Sequence, residues 1–231
     1  MRTISPKTVA TFAALTTAEL GIAIWLSGTL ARWLASASYV GVLHVALAII
    51  LFYGLSIGIF RWIQRIWPLP TGNLPAGSPG EARAFLYQLH YLMVFNTLIF
   101  SRTLPVPLMR LVLQSLGARF GRNSYSSGIV MDAQFVSVGD DTIIGNSAMI
   151  IPHVIEGERF AFMPVSIGHR VTIGARAVIM ADVVIEDDAT VAVQAVVLKG
   201  TRIGRGEIWA GSPAKCIRRP TVSDDMEPTP A

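Results

Sequence analysis

The sequence has little cysteine and little charge, and each shortage excludes a class of protein. Cys216 is the one cysteine in 231 residues, which excludes an intrachain disulfide framework and a thiolate metal cluster. Charged residues make up 15% of the chain and hydrophobic residues 52%, whereas an ordinary soluble domain is about 25% charged. This balance excludes a disordered chain and a nucleic-acid-binding tail protein, and it argues against a fully soluble protein.

Two long apolar runs carry most of the hydrophobic excess. Residues 8–31 contain one formal charge, Glu19, and residues 39–60 contain none. A helix of about 22 residues is about 33 Å long, enough to cross a hydrocarbon core of about 30 Å. The sequence therefore predicts a two-span transmembrane hairpin over residues 1–66. Glu19 and His44 are expected to face each other or a neighbouring helix within it.

Basic residues predict the orientation of this hairpin. Arg2 and Lys7 precede the first run, and Arg61, Arg65 and Arg83 follow the second, whereas Arg32 alone lies between the runs. The positive-inside rule then places both ends in the cytoplasm. We expect a multi-pass protein of a bacterial-type inner (plasma) membrane, with the rest of the chain facing the cytoplasm.

A secretory signal peptide is the alternative interpretation of the first run. The basic start and the sequence Ala35-Ser36-Ala37 imitate one. The apolar run is longer than the usual 7–15 residues, however, contains Glu19 and is followed by a second run. These features favour the hairpin.

Two further segments separate the hairpin from the second half of the chain. Residues 67–83 are rich in proline and glycine, which indicates a linker. Residues 84–116 form an apolar stretch interrupted by Pro105 and Pro107, and we predict helices on or partly in the membrane face. Residues 84–100 are at the lower length limit for a span, so a third crossing remains open.

A six-residue repeat occupies residues 117–216. Its first positions include Ile167, Ile173, Ile179, Ile185, Val191, Val197, Ile203 and Trp209, and an earlier run has the same period. The second position is often glycine or alanine, and the fifth is small or β-branched. A period of six fits neither an amphipathic helix nor an antiparallel strand. It fits a parallel β-helix, in which three short strands form one triangular coil of about eighteen residues.

The repeat also predicts which side chains lie inside the prism. The aliphatic first position and the small fifth position are expected to point inward. Glycine at the second position is expected to allow the turn its unusual backbone angles. The acidic, proline-containing segment 217–231 is expected to be a disordered tail.

Residues 117–216 resemble the hexapeptide-repeat acyltransferases. The segment Trp209–Lys215 looks like the closing Gly-x-Pro-Ala-Lys motif of that family. The arrangement of spans followed by an interrupted repeat is similar to the transferase-like terminal domains of homopoly(amino acid) synthetases. The resemblance implies an all-β left-handed parallel β-helix, preceded here by an α-helical transmembrane hairpin and membrane-proximal helices. It further implies a homotrimer that uses acyl-CoA, most often acetyl-CoA, as co-substrate.

One interruption of the repeat carries the candidate catalytic base. The interval from Ile150 to Ile167 is not a multiple of six, so a loop leaves the β-helix within residues 152–165. In the family the catalytic histidine often sits at such an interruption, which points to His153 as a general base acting on an acceptor hydroxyl or amine. The apolar loop residues Phe160, Phe162 and Met163 could cover an acyl group or, more simply, pack on a neighbouring subunit.

Three acidic residues are candidates to orient His153. Glu156 is nearest in sequence, and Glu158 follows it. Asp132 occupies a first hexad position, where an aliphatic residue is expected, so it is either functional or a mark of irregular pairing. His169 lies at a third position and is expected to be a solvated turn residue.

The resemblance also implies where CoA binds and argues against zinc. In the family the CoA arm lies in a groove between two β-helices, so backbone groups around Gly174, Ala192 and Ala210 would hold the pantetheine. Lys199, Lys215, Arg218 or Arg219 would meet the phosphates, although the basic run 215–219 could equally contact a membrane. A zinc hydratase needs three histidine ligands, and the repeat region has two histidines. We therefore expect no metal.

Three functions remain open at the level of sequence. The first is a membrane-anchored acyltransferase that moves an acyl group from acyl-CoA to a membrane-associated or small-molecule acceptor, such as a lipid or glycan. The second is an aminoacyl or peptidyl transferase unit that takes a thioester from a carrier protein. The third is a non-catalytic trimeric membrane scaffold.

Overall fold

The computed structural model describes residues 2–34, 36–101 and 103–220. The described chain forms two units. The first comprises Pro75–Phe95 together with the chain up to Leu69, and the second comprises Pro70–Leu74 together with the chain from Asn96. The predicted disordered tail lies outside the described residues from residue 221 on.

Helices make up the first unit and the start of the second. They are α1 (Pro6–Leu34), α2 (Val40–Ile66), α3 (Pro79–His90), α4 (Asn96–Ser101) and α5 (Val106–Ser115), with a π-helical turn at Tyr91–Phe95 between α3 and α4. Three stretches are long and apolar enough to cross a membrane, namely Pro6–Leu34, Val40–Ile66 and Pro79–Ser101. The first two are the spans predicted from the sequence, and the third is the stretch that the sequence left open.

Helix α3 begins five residues earlier than its predicted start. Ser78 is its N-cap, because the Ser78 side chain accepts a hydrogen bond from the backbone N–H of Glu81. Pro79 occupies the first turn, where its missing N–H and fixed φ are no disadvantage. The linker predicted over residues 67–83 therefore contains the start of a helix, which its proline and glycine density did not indicate.

Two polar side chains, Glu19 and His44, each make a contact between α1 and α2. Glu19 accepts a hydrogen bond of 2.6 Å from Ser56 Oγ, which joins α1 to α2. His44 does not face Glu19, since its Nε2 lies 3.2 Å from the carbonyl oxygen of Ile24. The prediction that each faces a neighbouring helix is confirmed, and the alternative that they face each other is wrong.

The second unit is a parallel β-helix with five coils. Coil one comprises β2 (Arg119–Phe120), β3 (Tyr125–Ser126) and β4 (Ile129–Val130), and coil two comprises β5 (Val136–Val138), β6 (Ile143–Ile144) and β7 (Met149–Ile150). A hairpin of β8 (His153–Glu156) and β9 (Arg159–Phe162) follows, and then coil three with β10 (Val165–Ile167), β11 (Thr172–Ile173) and β12 (Val178–Ile179). Coil four comprises β13 (Val184–Ile185), β14 (Thr190–Val191) and β15 (Val196–Val197), coil five comprises β16 (Arg202–Ile203) and β17 (Ile208–Ala210), and β18 (Lys215–Arg218) is the last strand. The predicted parallel β-helix is confirmed.

The strands stack into three faces. The first face has the order β16-β13-β10-β5-β2, the second β17-β14-β11-β6-β3, and the third β15-β12-β7-β4. Neighbouring coils pair in parallel, for example Ile173 with Val191. Strand β18 instead runs antiparallel to β17. It occupies residues 217 and 218, which the sequence assigned to the tail.

The inward positions are those that the repeat predicted. First-position residues such as Ile179 and Val197 are fully buried, as are fifth-position residues such as Ala177 and Ala195. Trp209 is the exception among the first positions, because it lies in the last coil and is only half-buried. The hydrophobic core of the unit is therefore the interior of the prism.

Glycine at the second position serves a purpose different from the predicted one. Positive φ occurs at the fourth position of the hexad, at residues such as Arg170 (φ 53°) and Asp182 (φ 60°). At the second position the next coil approaches closely: a Cβ on Gly174 would lie 2.4 Å from the backbone nitrogen of Val193. The glycine is required by stacking and not by the turn.

Adding a methyl group at this position should destabilise the stack. We expect Gly174→Ala to lower the free energy of unfolding by about 1–3 kcal/mol, since backbone must move to admit it. Gly204→Ala is the matched control in the last coil, where a Cβ would meet only the Glu207 side chain at 3.2 Å. The measurement is the thermal midpoint of the detergent-solubilised protein by circular dichroism. Equal midpoints for the two variants would contradict the stacking argument.

Asp188 links three coils through ion pairs, and this gives a pH-dependent stability. Its carboxylate accepts from Arg170 Nε at 2.6 Å and from Arg205 Nε at 3.1 Å. The hydrogen bond from Arg170 is the main cause that lowers the pKa of Asp188. Because the folded pKa is depressed, the stabilisation is present above the unfolded pKa of about 3.9 and is lost as the pH falls through the folded pKa.

The variant Asp188→Asn tests this linkage and keeps a residue that tolerates positive φ. We expect its thermal midpoint to lie about 2–4 °C below the wild type at pH 7, the shift for about 1 kcal/mol in a chain of this size. The difference should shrink as the pH is lowered below about 4. A difference that stays constant down to pH 2 would show that the charge is not involved.

Candidate active site

One corner of the β-helix brings Asp132 and His153 together. Asp132 follows β4 and His153 follows β7, at the corner where the third face leads into the first. Strands β4 and β7 pair in consecutive coils, with Val130 opposite Ile150. The stacking of coils therefore places side chains 21 positions apart in sequence next to each other.

The two side chains form a hydrogen-bonded pair. His153 Nδ1 contacts Asp132 Oδ2, and the side chains of His153 and Asp132 are 16% and 3% exposed. Asp132 has φ 46°, a conformation that aspartate and asparagine tolerate better than most residues. Its misfit with the repeat comes from irregular pairing of coil one: Val130 lies in register with Ile150 and Ile179, so Asp132 falls in the corner after β4, where its carboxylate faces the imidazole.

A β-hairpin holds His153 at this corner. Coil two pairs with coil three at partners 29 residues apart, as for Ser137 and Ser166, whereas coils three and four pair at the regular 18, as for Ser166 and Val184. The eleven extra residues form the hairpin of β8 and β9, which opens on His153. The sequence predicted a loop here, and the loop is an ordered hairpin.

A third strand from outside the repeat widens the hairpin into a sheet. Strand β1 (Gly72–Asn73) pairs antiparallel with β9, and the N–H of Leu74 donates to the carbonyl of Phe160 at 2.8 Å. Leu74 is buried. Part of the predicted linker 67–83 is therefore a strand of the second unit, a pairing that neither composition nor period could reveal.

The aromatic residues of the hairpin pack inside their own unit. Phe162 is fully buried and stacks on Phe135, with ring centroids 4.8 Å apart. Phe160 is also buried and lies 5.4 Å from Phe162. The expectation that these rings cover an acyl group or meet a neighbouring subunit is not met, because Phe135, from the corner before coil two, already covers them.

His153 lines a cavity of about 210 Å³ on the outside of the prism. The other lining residues come from the hairpin and from the same corner of coils two, three and four: Ile151, Val154, Ile155, Glu156, Met180, Ala181 and Lys199. Backbone and apolar side chains thus form the walls, and an imidazole, a carboxylate and an ammonium supply the polar groups. Such a mixture is typical of small-molecule sites.

Glu156 is paired with Lys199 and not with His153. Lys199 Nζ donates to Glu156 Oε1 at 2.7 Å, and this hydrogen bond is the main cause that lowers the pKa of the Glu156 carboxyl. Asp132 is the acid that contacts the imidazole. Lys199, assigned by the sequence to CoA phosphates, is held by this ion pair beside the cavity.

The residues assigned to the pantetheine form one column on the β-helix. Gly174, Ala192 and Ala210 are spaced by one coil each along the second face. The N–H groups of Gly174 and Ala192 donate to Val191 and Trp209 of the next coil at 2.7 and 2.8 Å. These two N–H groups already donate to the next coil, so they are not free to donate to a pantetheine arm. Lys215 is exposed on β18.

His169 lies in a turn, as expected. Its side chain is 48% exposed, and its Nδ1 accepts the backbone N–H of Asp140 at 2.9 Å. With His153 bound to Asp132, each histidine of the repeat has one ring nitrogen engaged by protein.

Solved structures and curated proteins are similar to parts of this chain. No family model matches the chain. Among solved structures, galactoside acetyltransferase in complex with coenzyme A has a TM-score of 0.49 and 18% identity, covering 72% of this chain and 93% of its own. A hexapeptide-repeat acetyltransferase from Vibrio cholerae has a TM-score of 0.47 and 19% identity, covering 64% of this chain and 94% of its own. The described chain itself carries a six-residue repeat that folds as a parallel β-helix.

Curated relatives match a shorter segment of the chain. Gamma carbonic anhydrase 2, mitochondrial, from Arabidopsis thaliana is 34% identical over 84 residues, which is 36% of this chain and 26% of the relative. Gamma carbonic anhydrase 1 from the same plant is 36% identical over the same length. The chain thus spans about a quarter of the length of these relatives.

The aromatic support of the hairpin can be tested by removing one buried ring. Phe162→Ala should lower the free energy of unfolding by about 3–5 kcal/mol, because it removes a buried ring. Ile155→Ala in the same hairpin is the control, since Ile155 is 52% exposed. Limited proteolysis at the hairpin turn should accelerate in the first variant and not in the second. Equal proteolysis would show that Phe135 and Phe162 do not hold the hairpin.

Proposed function

We propose that this hexapeptide-repeat protein is a membrane-anchored acyltransferase. It moves an acyl group, acetyl in the first instance, from acyl-CoA to a hydroxyl or amine of a membrane-associated or small-molecule acceptor. The observation that carries the proposal is the hydrogen bond between Asp132 and His153 on the wall of a cavity. A buried carboxylate that holds an imidazole beside a cavity is the arrangement of a general base.

The pair sets the tautomer of His153. A carboxylate accepts hydrogen bonds and does not donate them, so the proton of a neutral imidazole stays on Nδ1, facing Asp132. Nε2 then carries the free lone pair that removes a proton from the acceptor. As the imidazolium forms, the Asp132 carboxylate stabilises its charge. Asp132 is a positioning residue in this scheme.

The transfer follows the usual order of acyl chemistry. The acceptor oxygen or nitrogen loses its proton to His153 Nε2 and attacks the thioester carbonyl carbon, which forms a tetrahedral oxyanion. The carbon–sulfur bond then breaks. The CoA thiolate leaves and takes the proton from the imidazolium, which restores the base.

The column Gly174, Ala192 and Ala210 offers carbonyl groups to a pantetheine arm. The Gly174 and Ala192 carbonyls each accept one backbone hydrogen bond, from Ala177 and Ala195, and a carbonyl oxygen has a second lone pair. Lys215 and Lys199 are the cations for the phosphates. Lys199 would have to exchange the Glu156 carboxylate for a phosphate.

The assembly and location complete the proposal. A homotrimer would set the CoA groove between neighbouring β-helices, and the helices of the first unit would anchor it in the membrane with the β-helix in the cytoplasm. Support comes from Pro6–Leu34 and Val40–Ile66, two stretches long and apolar enough to span a membrane, because a hairpin of two spans returns the chain to the side on which it began. Acceptors made or held in a lipid bilayer would then be within reach.

Calorimetry on the detergent-purified protein tests the donor. We expect CoA, acetyl-CoA or a longer acyl-CoA to bind with micromolar affinity, and His153→Ala to retain that affinity. The slow hydrolysis of acetyl-CoA, in which water replaces the acceptor, should fall by about 10²–10⁴ in the variant, the usual contribution of a general base. Failure of every CoA compound to bind the folded protein would contradict the proposal and leave the carrier-protein transferase or the scaffold.

A second pair of variants separates positioning from simple structural support. Asp132→Asn should lower kcat of the same hydrolysis and leave KM unchanged. The neutral amide replaces a charged hydrogen-bond acceptor of His153 Nδ1–H, so it stabilises the imidazolium less. Asp182→Asn is the matched control, at the equivalent corner of coil three with φ 60° and an ion pair to Arg202. Equal kcat values for the two variants would remove Asp132 from the mechanism.

A further inference from the structure

A second cavity, of about 320 Å³, lies within the first unit among α1, α2 and α3. Its volume is at the lower end of the range for small-molecule sites. Its wall is mostly hydrocarbon, with Leu15, Phe60, Ile63, Trp67 and Leu86 as the main apolar lining. The acyltransferase proposal makes no use of this space.

Two polar side chains on the wall have atoms without a hydrogen-bond partner. Among the described residues, Gln64 Oε1 is a buried atom that meets no donor. His90 Nε2 also makes no hydrogen bond, although it lies 3.4 Å from a carboxylate oxygen of Glu19. The His90 side chain is 4% exposed. Buried polar groups are almost always hydrogen-bonded in folded proteins, so atoms left unpaired on a cavity wall point to a missing partner.

A buried carboxylate stands behind His90. Glu19 Oε1 lies 3.4 Å from His90 Nε2, and the Glu19 side chain is 1% exposed. Ser56 holds the other carboxylate oxygen from α2. An ionisable residue within an apolar helical bundle marks a functional site by default. The π-helical turn that follows His90 is a second such mark, because π-helical turns occur often at functional sites.

The lining defines the chemistry of the ligand. A mostly hydrocarbon wall accepts a hydrocarbon body, and Gln64 Oε1 requires a donor. A hydroxyl both donates and accepts, so it satisfies the Gln64 amide in either orientation of the oxygen and nitrogen. A phosphate oxygen accepts only. We propose that this cavity binds a long-chain alcohol, drawn from the lipid phase, whose hydroxyl bonds to Gln64.

Photolabelling of the full chain in phosphatidylcholine nanodiscs tests the proposal. The probe is hexadecanol that carries a diazirine in its chain, and the labelled peptides are mapped by mass spectrometry. We expect label on the lining peptides of α1, α2 and α3. Unlabelled hexadecanol should compete about tenfold better than hexadecane, the ratio that corresponds to one neutral hydrogen bond.

Three variants locate the site. Gln64→Leu should abolish the advantage of the alcohol over the alkane, and Leu86→Phe should reduce labelling severalfold because the ring fills the cavity. Ile50→Phe is the control, since Ile50 is 65% exposed on α2 and does not line the cavity; it should label like the wild type.

Three results would overturn the proposal. Equal competition by hexadecane and hexadecanol would reduce the cavity to a contact with bulk lipid chains. Unchanged labelling in Leu86→Phe would place the probe elsewhere. Displacement by lysophosphatidic acid but not by hexadecanol would assign the cavity to a phosphate-bearing lipid, with Arg83 of the lining as its cation. None of these results depends on the chemistry at His153.

Discussion

Backbone hydrogen bonds between successive coils are the constraint on which the second unit depends. The N–H of Gly145 donates to Ile173 and that of Gly174 to Val191, at 2.8 and 2.7 Å. These bonds bring the coils so close that only hydrogen fits on the α-carbon at several corners. The same spacing fixes which side chains point inward. It also decides which side chains of neighbouring coils meet at the outside, and therefore places a carboxylate beside an imidazole.

A histidine and a carboxylate occur together in each unit, in different physical settings. In the β-helix, His153 is partly exposed at a cavity and is hydrogen-bonded to Asp132. In the helical unit, His90 and Glu19 are nearly inaccessible and 3.4 Å apart. The first arrangement suits proton exchange with a molecule that comes and goes in water. The second leaves polar atoms that a ligand from an apolar phase can satisfy.

Periodicity made most of the β-helix predictable, and everything outside the period was harder. The spacing of a first-position residue such as Ile185 predicts that it is buried, because the coil repeats every eighteen residues. The interruption of the six-residue period before Ile167 likewise predicted a loop, and it indicated His153 as a candidate residue. The choice among Asp132, Glu156 and Glu158 could not be made from sequence, since it depends on which corners stack. The pairing of Glu156 with Lys199, 43 residues apart, and the strand at Gly72–Asn73 have no local signal at all.

The hairpin that opens on His153 has a consequence for how such a protein can diversify. Its eleven additional residues leave and re-enter the stack at one corner, and the pairing of Ser137 with Ser166 shows full register afterwards. The number of residues in the hairpin turn around Gly157 can therefore change without changing the stacking of the coils. Related proteins can therefore differ in the length and the side chains of this hairpin, and so in which molecule reaches the imidazole. The imidazole and its carboxylate would keep their places in consecutive coils. Under the proposed function, the base and the residues that select its acceptor would lie in separate stretches of one chain.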